Sequence, residues 1–97
     1  KMMFVFDDLN NCDDRGIQSL LKEVPREALS IALASASPVV REKVLKNMSS
    51  GAAAALKEDI DAAGAVRPAD AAEAQESILE IARRLEKEGK LLRQKEL

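Results

Sequence analysis

Histidine, tryptophan and tyrosine are absent from the 97-residue chain, and Cys12 is its single cysteine. Without histidine, a His-based zinc centre and a histidine general base are excluded. One cysteine leaves no internal disulfide and no cysteine-based metal site. With two Phe as its whole aromatic content, the chain has little to stack on bases. Charge of one sign is also missing: 15 Lys and Arg stand against 17 Asp and Glu, a net charge of -2. A nucleic-acid partner would call for a clustered basic face, so none is expected. No run of about 18 apolar residues occurs, so no membrane insertion is expected. The start, KMMFVFDD, places acids directly after a brief apolar stretch and offers no small-residue cleavage site. It does not read as a secretory signal. Four glycines are scattered, and none forms a phosphate-binding loop.

What is present points to one class. Ala (16) and Leu (12) dominate, Ile and Val together number 11, and Thr is missing. Strands favour β-branched and aromatic residues, whereas Ala, Leu, Glu, Lys, Arg and Gln are the strong helix formers. The chain is too short for a second independent core. The expected fold is all-α, a compact single domain of about six helices. Residues 1–6 are expected to lead in as a hinge or to pack as an apolar plug, residues 7–90 to form the helical domain, and residues 91–97 to be a tail.

Stripes and stops mark the helices. Asp7 to Leu9 suits one helical turn. Asp13 suits an N-cap, because a carboxylate can accept from the unpaired N–H groups of a first turn. Ile17, Leu20, Leu21 and Val24 then recur at i, i+3, i+4 and i+7. Val24-Pro25 ends that helix, since a residue before proline avoids the α region, and Pro25 can open the next. Leu29, Ala32, Leu33 and Ala36 make the second stripe. Ser37-Pro38 is the clearest start signal, with a serine cap and proline at the first helical position. Val40, Val44, Leu45 and Met48 face inward from the third helix. Ser49 caps a fourth, whose expected inner face is Ala52, Ala53, Leu56, Ile60 and Ala63. Gly64 is its left-handed stop. Pro68 opens the longest helix, with Ala71, Ala74, Ile78, Ile81 and Leu85 inward, and Gly89 ends it. The remaining KLLRQKEL either continues as a short helix or frays.

No catalytic constellation is legible. A serine nucleophile would need a base, and no Ser–Lys pair lies in a recognisable motif. Asp7-Asp8 and Asp13-Asp14 suit magnesium or, more simply, caps that complement helix dipoles. The fourth helix carries Lys57, Glu58, Asp59 and Asp61 in its C-terminal half, where acids oppose the dipole. Spacing alone makes this a solvated face. Arg67 suits a contact to the carbonyls ending that helix, or an ion pair with Asp59 or Glu58.

Several segments in fixed order carry a resemblance: MFVFDDL at Met3 to Leu9, DDRGIQSLLKEV at Asp13 to Val24, and REKVLKNMS at Arg41 to Ser49. LKEDI at Leu56 to Ile60, Val66-Arg67, and EAQESILEIARRLEKEG at Glu73 to Gly89 continue it. Together they resemble the C-terminal domain of FliG, the motor switch protein of the bacterial flagellar rotor. The resemblance implies a six-helix, non-enzymatic domain, without cofactors, behind a hinge formed here by Met3, Phe4, Val5 and Phe6. It implies a place on the cytoplasmic side of the inner membrane, in the flagellar basal body. It implies a charged ridge that meets the cytoplasmic loop of the stator protein MotA, or of its sodium-driven relative, to generate torque. The ridge residues fall on Glu58, Asp59 and Arg67, with Lys57 and Asp61 as contributors. Reorientation about the hinge would serve rotational switching. Other partners implied are FliM and neighbouring FliG subunits, reached mostly through modules upstream, so the domain itself is expected to be monomeric.

The chain departs from the family at two cations. The family usually has Lys where this chain has Ala34, and Arg where it has Gly51. Gly51 and Glu58 are seven apart and share a helix face. Two functions therefore fit: a torque-bearing rotor domain, or a divergent paralogue with a structural or regulatory rotor role and a weakened stator contact.

Overall fold

The computed structural model describes residues 4–94. A 3-10 helix (Phe6–Asn11) opens the chain, followed by α1 (Asp14–Glu23), α2 (Arg26–Ala34), α3 (Pro38–Leu45), α4 (Ser50–Ala63) and α5 (Pro68–Lys87). The fold is all-α, with six helical elements. Among the described residues the sole β pairing is an isolated antiparallel bridge between Cys12 and Arg93.

The local signals place most boundaries. Ser37 Oγ accepts from the Val40 N–H at 3.4 Å and Pro38 takes the first turn of α3. Ser49 Oγ accepts from the Ala52 N–H at 3.2 Å and starts α4. Gly64 ends α4 at φ 59°, and Gly89 follows α5 at φ 80°, backbone angles that cost a side-chain-bearing residue energy. Asp13 stands at the N-cap of α1, but its side chain does not cap. Asp13 Oδ1 instead accepts from the Leu92 N–H at 2.9 Å.

α2 is the central element, packed against both α4 and α5, while α1 and the 3-10 helix close the other side of α5. The core joins Ile17 and Leu20 of α1, Leu29, Ala32 and Leu33 of α2, Val40 and Val44 of α3, and Ile78 and Leu85 of α5. α5 buries a wider face than its stripe predicts, because Leu79 and Ala82 are buried as well. It lies between two layers and is covered from both.

α4 buries less than expected. Leu56 is fully buried, Ala53 and Ile60 are half-buried, and Ala52 and Ala63 are exposed. The predicted inner face therefore narrows to one strip, because α4 packs chiefly on α2.

Both chain ends lie against the domain. Phe4 and Phe6 are buried in the core while Val5 is exposed, so residues 4–6 pack on the domain in the described structure. Met3 of the expected hinge lies outside the described residues. Residues 91–94 are neither helical nor frayed: Leu91 is 0% exposed, the Asp13 N–H donates to the Leu92 carbonyl at 2.9 Å, and the Gln94 N–H donates to the Asn11 carbonyl at 2.7 Å. Residues 95–97 of the expected tail lie outside the described residues. The crossing is close. A Cβ on Gly16 would lie 2.9 Å from the Leu91 Cα, so α1 admits the strand-like segment only because residue 16 has no side chain.

Candidate functional site

The exposed edge of α4 and the turn into α5 hold the charged residues of the expected ridge. Leu56 fixes α4 to the core, and its neighbours Lys57 and Glu58 point to solvent, as does Asp61. None of the three has an ion-pair partner among the described residues. The small residues of α4 leave this edge low and open.

Asp59 is different. It is half-buried, and its Oδ2 accepts from Arg26 Nε at 2.5 Å. The bond raises the Arg26 pKa above its ordinary value, first by hydrogen bonding to Asp59 and then by its charge. Both partners are on the wrong ends of their helices. Arg26 opens α2, where the dipole favours an anion, and Asp59 lies near the end of α4, where it favours a cation. α4 has no basic residue of its own in its last turn. The pair cancels both mismatches. Sequence reading missed Arg26, which is 33 residues away. The available signal was the mismatch itself, a basic residue directly after Pro25 at a helix start.

Arg67 does not reach α4. The turn at Gly64 and the following Ala65 and Val66 carry it to the start of α5, where Nε bonds Asp70 Oδ2 at 2.9 Å. The expected contacts to Asp59, Glu58 or the closing carbonyls of α4 are therefore replaced by an i, i+3 pair. The reason is local: Asp70 is in the first turn of the helix that Arg67 precedes. The Arg67 side chain remains 82% exposed.

The two positions without the usual cations differ in surroundings. Gly51 is exposed in the first turn of α4, and a Cβ there would meet nothing within 4 Å. Ala34 is half-buried at the end of α2, eight residues or about 12 Å along the helix from Arg26. Its closing carbonyls are served by Arg41, which donates to the Leu33 oxygen at 3.0 Å and the Ala34 oxygen at 3.5 Å.

Three of the four paired carboxylates of the N-terminal region, Asp8, Asp13 and Asp14, have structural partners. Asp8 accepts from the Val5 N–H at 3.0 Å, Asp13 holds Leu92, and Asp14 bonds Lys43 at 3.1 Å and Asn47 at 3.2 Å. Asp14 is held below the usual carboxylate range by its bonds to Asn47 and Lys43. Cys12 is buried, and desolvation pushes its thiol up to about 12. Among the described residues no group of three or more His, Cys, Asp or Glu could hold a metal ion. No described helix is long and apolar enough to cross a membrane.

Fold and surface together define a small all-α domain whose outward chemistry is fixed charge along one helix edge. A family model described as the FliG C-terminal domain matches residues 1–92. The chain is 48% identical over 91 residues to the flagellar motor switch protein FliG of Pseudomonas aeruginosa, covering 94% of this chain and 27% of that protein. It is 47% identical to FliG of Thermotoga maritima, covering 95% of this chain and 28% of the other. The crystal structure of FliG residues 86-343 from H. pylori superposes with a TM-score of 0.90 at 37% identity, over 93% of this chain and 42% of that one. Full-length FliG from Aquifex aeolicus gives 0.87 at 39% identity, over 91% and 27%. The chain belongs to the FliG C-terminal domain family, and spans little more than a quarter of the length of these curated relatives.

Proposed function

We propose that this domain is a non-enzymatic part of a bacterial flagellar motor switch, and that the edge of α4 is its stator-facing ridge. Its relatives are named flagellar motor switch proteins, which supports the coarse role. One observation carries the finer one: Lys57, Glu58 and Asp61 project outward from a helix anchored by the buried Leu56, and the Arg67 guanidinium projects from the turn that follows it. Fixed charges on a rigid mount can push and be pushed without chemistry. Such charges steer and orient a partner more than they hold it. The partner is the cytoplasmic loop of MotA or its sodium-driven relative, at the cytoplasmic face of the inner membrane. FliM and neighbouring FliG subunits are the rotor partners.

Arg26 bears on the missing cations. It places a guanidinium beside Asp59, adding a further cation to the edge that carries Lys57 and Arg67 although positions 34 and 51 are uncharged. This favours the torque-bearing reading over a purely structural paralogue. Switching by reorientation about Met3 to Phe6 belongs to the same proposal. In the described structure Phe4 and Phe6 are seated in the core, so reorientation about this segment would have to release them.

The test is charge reversal in the full-length protein. Glu58→Lys with Asp59→Lys is expected to abolish swimming while filaments still assemble. Normal torque in that variant would remove the ridge from the mechanism. Gly51→Arg, which fits without a clash, is expected to raise torque or leave it unchanged.

A further inference from the structure

Between α2, the end of α4 and the first half of α5 lies an open groove of about 720 Å³. Its floor is aliphatic, with Ile31 and Val66 only half-buried. Its rim is acidic, with Glu27 and Glu73 exposed, and the cation on it, Arg67, is already bonded to Asp70. The groove is continuous with the charged edge. Arg67 belongs to both, Ala63 at the end of α4 forms its mouth, and Pro25 and Glu27 flank the Arg26 that holds Asp59.

We propose that this groove seats the apolar face of a short amphipathic helix whose polar face carries Lys or Arg, supplied by the partner that meets the ridge. The inference rests on the ridge reading. An aliphatic floor gains from aliphatic side chains that displace its water. Carboxylates around it pair with cations and repel acids, so an acidic or neutral segment is selected against. An amphipathic helix in a groove is a recurrent way of meeting such a surface. The two surfaces divide the work. Ridge charges govern encounter and orientation, and apolar contact in the groove sets how long the partner stays. A surface of charges alone would release its partner quickly under load.

The experiment compares groove and ridge in the full-length protein. Ala63→Trp fills the mouth without altering charge, at an exposed site where folding is expected to survive. Glu73→Lys reverses the rim away from α4. Stall torque is measured in cells, and binding of a labelled Leu/Lys amphipathic helix is measured in vitro beside a version with Ser for Leu. Both variants are expected to lower torque and peptide affinity at least tenfold, and the Ser version to bind at least tenfold more weakly than the Leu version. Torque and affinity within twofold of the parent in both variants would overturn the groove. If Glu58→Lys with Asp59→Lys then still abolishes torque, the ridge stands without it. If the groove variants lose torque while that reversal does not, the ridge reading falls and the groove remains.

Discussion

Around Arg93 the two ends of the chain are laced together, whereas α4 is held to the domain by one fully buried side chain. Arg93 forks onto Glu86 at 2.6 and 3.2 Å, reaches Asp8 at 3.7 Å and lies 4.3 Å over the Phe4 ring. Leu91 beneath it is wholly buried, and backbone bonds tie residues 92 and 94 to 13 and 11. α4 has Leu56, the half-buried Ala53, Ala55 and Ile60, and the Arg26–Asp59 pair. The difference teaches where each region's residues are committed. In the terminal seam, charge is spent on closing the fold. Along α4, charge is left outward, on a helix whose small side chains ask for little cover. Local stability follows contact density, so the seam should open last and α4 first.

The largest test of that contrast is Leu91→Ala against Lys57→Ala. Leu91→Ala is expected to cost about 2–5 kcal/mol, with its cavity inside the seam. Lys57→Ala should stay within about 0.5 kcal/mol. Denaturant unfolding of both variants checks it, and equal midpoints would erase the distinction. Next is Gly16→Val, which forces α1 off the Leu91 segment. The expected loss is about 1–3 kcal/mol. Amide exchange should report the damage at residues 91–94 and leave α4 unchanged.

Arg26→Ala is expected to cost little stability, because the pair is exposed and screened by salt. Its effect should shrink further in high salt and should be absent in an Asp59→Asn background. A loss of several kcal/mol would make the pair a structural clamp instead of a surface feature. The last effect is confined to alkaline pH and is absent at neutral pH. Cys12 keeps its proton in the fold to about 12, while the unfolded thiol ionises near 9.0. The unfolded state therefore binds fewer protons in that window, and stability falls as pH rises through it. Cys12→Ala should flatten that part of the profile, and the native thiol should resist alkylation at neutral pH.

Ser37-Pro38, Ser49 and Gly64 were legible because a cap or a left-handed stop acts within four residues of itself. The composition settled the all-α class for the same reason, since propensity is summed residue by residue. The charged residues of α4 were legible as a cluster, and the family's ridge falls on them. Their neighbours were not. Nothing near Asp59 in the chain names Arg26, and the spacing of Arg67 suits α4 although its own next turn holds Asp70. The alanine face was overread, because periodicity says which side of a helix is apolar and not whether another helix arrives to cover it.

Read alone, the amino-acid order determined the helices, their ends and the charges that α4 carries, since these depend on contacts a few residues apart. Tertiary structure alone decided that Leu91 is core, that Asp13 holds Leu92 and that Arg26 meets Asp59. Those pairings join residues 33 and 79 positions apart, and they exist only once the helices have packed.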